Sequence, residues 1–130
     1  MHTDGGSRGN PGPAASGVVI TTPDGQVVEA FGKYLGTATN NIAEYTAVKL
    51  ALEAVCKYDV ESVEFYMDSE LVCRQLNGIY KIKNADLKVI FDEIKKLAQG
   101  QKITFSHVRR EFNKLADAQV NIAIDDALKA

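Results

Sequence analysis

Short apolar, β-branched runs along this chain give way to longer stretches whose apolar residues recur every three or four positions, and the changes mark out its elements. Met1 to Asp4 reads as the end of a strand that Gly5 and Gly6 stop. Ala15 to Thr21 reads as a second strand and Gln26 to Leu35 as a third, joined at the turn signal Pro23-Asp24-Gly25. The first three strands therefore form an antiparallel meander. Gly36 to Thr39 is read as a loop. From Asn41 to about Lys57, alanine, leucine, glutamate and lysine predict a long helix capped by Asn40 or Asn41. Its apolar stripe includes Val48, Ala51, Leu52 and Val55.

A second α/β passage follows. Val60 to Met67 is a compact apolar strand set between helices, as in a parallel crossover. Ser69 or Asp68 caps a short helix from Glu70 to about Leu76, which Asn77-Gly78 ends. Ile79 to Asn84 is a basic connection containing Tyr80. Asp86 to Gln99 is an amphipathic helix with Leu87, Ile90, Phe91, Ile94 and Leu97 inward. Lys102 to Val108 is a fifth strand, Arg109 to Phe112 a loop, and Asn113 caps a last helix to about Leu128. With no internal repeat or low-complexity segment, residues 1–130 are expected to form one domain.

Four acids stand at informative points of this pattern. Asp4 heads a glycine-rich turn, Asp4 to Gly12, where missing side chains leave a carboxylate and backbone N–H groups open to a ligand. The turn is no nucleotide-binding P-loop, because Pro11, Pro13 and a β-branched run follow instead of Gly-Lys-Ser/Thr and a helix. Glu44 lies one turn before Val48, on the helix face that packs on the sheet, so its carboxylate must be paired, hydrogen-bonded or ligated. Asp68 sits at the carboxyl end of a strand, where open α/β sheets place their ligands. Asp117 heads a stripe of Val120, Ile124, Ala127 and Leu128. Each acid alone has an ordinary reading as a turn residue, a first-turn glutamate or a helix cap.

Composition narrows the picture modestly. A 130-residue chain with 45% hydrophobic and 25% charged residues is of ordinary globular make-up. Its apolar runs are too short to span a membrane, and a cytoplasmic location is expected. Cys56 and Cys73 lack ligand spacing and are read as structural thiols. The net charge of −2 argues weakly against a nucleic-acid partner, yet two divalent cations on the acids would change it to +2.

Taken in order, Thr3 to Pro13, Thr39-Asn40-Asn41-Ile42-Ala43-Glu44-Tyr45, Met67-Asp68-Ser69-Glu70-Leu71-Val72 and Asn113-Lys114-Leu115-Ala116-Asp117 resemble the motifs of the ribonuclease H type 1 family. The resemblance covers nearly the whole chain. It implies an α/β fold with a five-stranded mixed sheet, three antiparallel strands followed by two parallel ones, flanked by helices. It also implies an endonuclease that cuts the RNA strand of RNA/DNA hybrids, leaving 3′-hydroxyl and 5′-phosphate ends. Asp4, Glu44, Asp68 and Asp117 are then the metal ligands. The all-oxygen set makes two Mg²⁺ ions the first choice, with Mn²⁺ able to substitute. Carried over, RNA contacts fall on Gly6, Ser7, Arg8, Asn10, Asn41, Glu44 and Ser69, and DNA-strand contacts on Asn40, Tyr80, Lys81 and Lys83. A monomer is expected.

Departures from the family are as informative. Longer bacterial members insert a basic, tryptophan-containing handle after the second helix, whereas this chain has no Trp and only Ile79 to Asn84 there. Many members carry a mobile histidine before the last acid. Here Arg110 is the nearby cation able to stand in, electrostatically, since arginine does not shuttle protons at neutral pH. His107 is read as a satisfied structural imidazole in the fifth strand and His2 as inert. The short-loop pattern resembles the archaeal-like members and leaves double-stranded RNA open as a second substrate. Rival readings are a weakly catalytic hybrid- or duplex-RNA-binding module, an integrase or Holliday-junction nuclease on the same fold, and a domain cut from a reverse transcriptase.

Overall fold

The first strand does not stop at its glycines. In the computed structural model, which describes residues 1–129, β1 (His2–Ser7) pairs antiparallel with β2 (Gly12–Thr21), Gly5 opposite Ser16 and Gly6 opposite Ala15. A Cβ on Gly5 would stand 2.2 Å from the Glu44 backbone nitrogen. The glycine is there because a helix rests on the strand, and not because the strand ends. β3 (Val27–Ala38) likewise runs through the expected loop. It does so by a bulge at Leu35, with Gly36 at φ 76°.

β4 (Ser62–Met67) lies parallel beside β1, and β5 (Lys102–His107) parallel beside β4, giving the order β3-β2-β1-β4-β5. The expected mixed sheet is thus formed. α1 (Asn40–Val55), α2 (Glu70–Leu76) and α3 (Ala85–Ala98) supply one layer, and their buried side chains meet Val18, Ile20, Phe65 and Met67 in the main core. Tyr45 and Gln75 tie α1 to α2 by a buried hydrogen bond of 2.5 Å from the phenol to the amide oxygen. Only an eight-residue connection, without a helix, separates α2 from α3.

α4 (Lys114–Leu128) covers the opposite face. It comes down backbone-first: a Cβ on Gly17 would meet the Ala116 carbonyl oxygen at 2.3 Å, and one on Gly32 the Gln119 oxygen at 2.4 Å. A small second core of Ala15, Val120 and Ile124 lies beneath it. Two expectations fail here. Leu128 is exposed rather than buried, while Val120 and Ile124 of the same helix are buried. Asn113 precedes α4 but makes no side-chain cap. Its buried amide instead donates to the Thr3 carbonyl at 2.9 Å, tying the start of α4 to β1.

The helix boundaries shift for identifiable reasons. Thr39, not either asparagine, caps α1, its Oγ1 accepting from Ile42 N at 3.2 Å. Asn40 and Asn41 fall inside the first turn, which frees their side chains for other partners. Ser69 caps α2 as expected, and Asn84 caps α3. Cys56 is exposed, Cys73 is buried, and both are free thiols.

Candidate active site

β4 ends at Met67 while its neighbour β1 continues to Ser7, so past Asp4 one edge of β1 has no strand beside it. The acids converge on that gap. Asp4 comes from the strand itself and Asp68 from the residue after β4. Glu44 arrives from α1, whose backbone is seated on Gly5. Ser16 fixes the same seat by donating to Ala43 O at 2.6 Å. One carboxylate oxygen from each of Asp4, Glu44 and Asp68 lies within 4.8 Å of the others.

Asp117 arrives from the other face. Asp4 pairs across the ladder with Gly17, the glycine on which Ala116 rests. The residue after Ala116 is thereby brought near Asp4, close enough for its carboxyl to add to the upward push on Asp4. Asp117 is exposed, unlike the buried residue expected at the head of an apolar stripe, and stands at the rim of the trio.

Gathering these charges perturbs them. Burial, then the charges of Asp68, Glu44 and Asp117, pushes the Asp4 carboxyl up to about 8. Burial lifts Glu44 to about 7, against a hydrogen bond from Ser69 and the positive charge of Arg110, with Asp68 adding to the rise. Glu44 Oε2 is buried with no hydrogen-bond partner. A carboxylate with an unpartnered oxygen, gathered with two further carboxylates, is a donor set suited to a hard cation. The trio backs onto a niche of about 10 Å³ that also includes Thr3 and Ser69, roughly the room of one water or ion.

In front lies an open cleft of about 410 Å³. Of the residues selected from sequence, Gly6, Ser7, Arg8, Asn40, Asn41 and Arg110 line it with the four acids. Arg110 reaches it from a 3-10 turn, Arg110–Phe112. Asn10 is one step back, its Oδ1 accepting from Asn40 N at 3.1 Å, and Asn40 Oδ1 accepts from Ser7 N at 2.7 Å. The glycine-rich turn and the start of α1 are thus laced together. Tyr80, Lys81 and Lys83 are exposed outside the cleft lining, with Arg74 stacked 5.6 Å from the Tyr80 ring centre.

His107 is a correction: it is exposed at the end of β5, without a side-chain hydrogen bond among the described residues, rather than satisfied in a core. His2 packs against the Tyr66 ring at 5.2 Å. Two residues that the sequence reading passed over also enter the cleft region. Asn121 lines it, and Asp125 pairs with Arg8 at 2.7 Å. Their signal was the spacing of four that repeats from Asp117 through Asn121 to Asp125.

Residues 2–123 match the family described as "Reverse transcriptase-like". The chain is 43% identical over 127 residues to Ribonuclease HI of Halobacterium salinarum, covering 97% of this chain and 64% of that protein. It is 39% identical over its whole length to a bifunctional protein of Mycobacterium tuberculosis, of which it spans 36%. Among solved structures, LC11-RNase H1 in complex with RNA/DNA hybrid superposes with a TM-score of 0.94 at 45% identity, over 98% of this chain and 97% of that one.

Proposed function

This chain belongs to the ribonuclease H family, and on that premise we propose that it is a type 1 ribonuclease H that hydrolyses the RNA strand of RNA/DNA hybrids. The observation that carries the reading is the trio Asp4, Glu44 and Asp68, in which Glu44 keeps one buried oxygen unpartnered among the described residues. Hybrid is the favoured substrate because a relative of 45% identity over nearly the full chain is known in complex with it.

Asp4, Glu44, Asp68 and Asp117 would hold two Mg²⁺ ions, with Mn²⁺ as a substitute, and ions bound there would supply activation of water and stabilisation of the charge that develops on the phosphate. Water adds to phosphorus as the bond to the ribose 3′ oxygen breaks, which leaves a 3′-hydroxyl and a 5′-phosphate. The residues of the chain set the geometry for that exchange. Asp4 and Glu44 are held by strand and helix backbones in van der Waals contact, so little reorganisation is needed. Arg110 faces the cleft as a fixed positive charge for the scissile phosphate or the departing product.

Recognition divides along the cleft. Backbone and side chains of Gly6, Ser7, Arg8, Asn41 and Ser69, together with Glu44, meet the RNA strand, where the 2′-hydroxyl distinguishes RNA from DNA. Asn10 serves them by holding Asn40. The DNA strand runs over Asn40, Tyr80, Lys81 and Lys83, with cations for phosphate and a ring for sugar. With only a short basic connection after α2, few phosphates are neutralised there, so hybrid affinity should be modest.

The test is a labelled RNA/DNA hybrid, a DNA duplex and an RNA duplex, each incubated with Mg²⁺ and with a chelator. Metal-dependent cutting of the hybrid's RNA strand is expected. Binding without cutting would leave a hybrid-binding module, and cutting of the DNA duplex would leave an integrase-type nuclease. Cutting of the RNA duplex as well would widen the substrate class without moving the site.

A further inference from the structure

The chain places a polar ladder on α4 that begins at the fourth acid and ends away from the metal site. Asp117, Asn121 and Asp125 are four residues apart, so they stack on one face of the helix. Asn121 Nδ2 donates to Asp117 Oδ2 at 3.4 Å and to the Asp117 carbonyl at 3.2 Å. Its Oδ1 accepts from the Arg8 guanidinium at 3.4 Å, and the same guanidinium nitrogen lies 2.7 Å from Asp125 Oδ1. Arg8 belongs to the glycine-rich turn 113 residues earlier in the chain.

We propose that Asn121 is a positioning residue that couples metal binding by Asp117 to RNA-strand binding by Arg8, with Asp125 as the outer anchor of that arginine. The two neighbours of Asn121 have opposite donor and acceptor needs. Asp117 as a ligand offers only acceptors, and Arg8 offers only donors, so the side chain between them must donate on one side and accept on the other. A carboxamide does both. A carboxylate there would repel Asp117, and an aliphatic side chain would satisfy neither partner.

The amide draws on Asp117 Oδ2, which restricts rotation of that carboxylate beside Asp4. On its other side it helps hold a long, otherwise flexible cation at the cleft lining. Fixing both lowers the ordering cost when ion and phosphate arrive. Outer partners of metal ligands commonly matter by about 10-fold or more in affinity. Because Asn121 is exposed and helical, replacing it leaves the packing beneath α4 intact.

This inference rests on the nuclease reading, and the experiment separates the two. Mg²⁺ affinity is measured by calorimetry, and kcat and KM for hybrid by steady-state cleavage, for wild type, Asn121→Ala, Asn121→Leu, Arg8→Ala and the Arg8→Ala/Asn121→Ala double variant. Both Asn121 variants should bind Mg²⁺ roughly 10-fold more weakly and raise the hybrid KM. Arg8→Ala should raise KM and, through the loosened Asn121, weaken Mg²⁺ binding by less than the Asn121 variants do, and the double variant's KM should rise by less than the product of the single effects. Asn121 variants with wild-type Mg²⁺ affinity, or KM effects that simply multiply, overturn the coupling. A wild-type protein that neither binds Mg²⁺ nor cuts hybrid overturns the nuclease reading instead.

Discussion

Gly5 and Glu44 touch through their backbones: a Cβ on Gly5 would lie 2.2 Å from Glu44 N and 2.3 Å from Ala43 C. The position of the Glu44 carboxylate is therefore set by the absence of a side chain on the neighbouring strand. Gly5→Ala leaves α1 no choice but to lift. We expect a loss of roughly 3 kcal/mol in denaturant unfolding, at the upper end of overpacking costs, together with loss of Mg²⁺-induced stabilisation. Gly36→Ala, in open space at a positive φ, should cost only about 1 kcal/mol and keep the response to Mg²⁺. Equal effects of the two changes would show that the contact does not position the acid.

The ion-free protein should lose stability as pH rises. Asp4 and Glu44 titrate near 3.8 and 4.5 when unperturbed, and in the fold near 8 and 7. The folded state thus holds protons that the unfolded chain has released, a benefit complete below about pH 4 and gone once pH passes about 8. Thermal melts in chelator should fall across that window. Millimolar Mg²⁺ should raise the melting temperature more at the alkaline end than at the acid end, because cations replace the missing protons. A melt that rises with pH in chelator would contradict the cluster's electrostatics.

Asp68→Asn should move activity and stability in opposite directions. Removing one charge relieves Asp4 and Glu44, both of which Asp68 pushes upward. The ion-free variant should then melt higher at neutral pH than the wild type. Hybrid cleavage should fall by at least roughly 10²-fold, the scale for loss of one well-placed electrostatic group. A variant that melts higher and still cuts normally would remove Asp68 from the centre.

Arg110→Ala tests the cation in the 3-10 turn. Its charge restrains the rise of Glu44, so the variant should push that carboxyl further up, while Mg²⁺ binding should not weaken, because a charge that repels the ion is removed with it. Steady-state cleavage should show a kcat loss of roughly 10²-fold that exceeds any change in KM. A change confined to KM would make Arg110 a substrate contact only.

Much of this architecture was legible because its signals are local. Apolar, β-branched runs bounded by turn signals and helices gave β2 and β4, and counting back one helical turn from Val48 placed Glu44 on the buried face. The misses come from signals with two meanings or from distant partners. A pair of glycines reads as a break, yet Gly5 and Gly6 are strand interior, and only the helices on either face, α1 over Gly5 and Val120 of α4 against Gly6, show why. Asn113 reads as a cap, but its amide is engaged with Thr3, 110 residues away. Arg8 gives no hint of Asp125, which the fold brings to it. The boundary at Leu35 was missed because a bulge with Gly36 looks, residue by residue, like the loop that a strand would end in.

Glu44 and Asp117 reach the gap from helices on opposite sides of the sheet, and α4 is seated on a core of few side chains. A cation shared by the two acids would act as a rivet through the molecule. Its departure would loosen the smaller layer first, so the lifetime of the docked α4 would keep time with metal occupancy, and amide exchange along that helix would slow when Mg²⁺ is present.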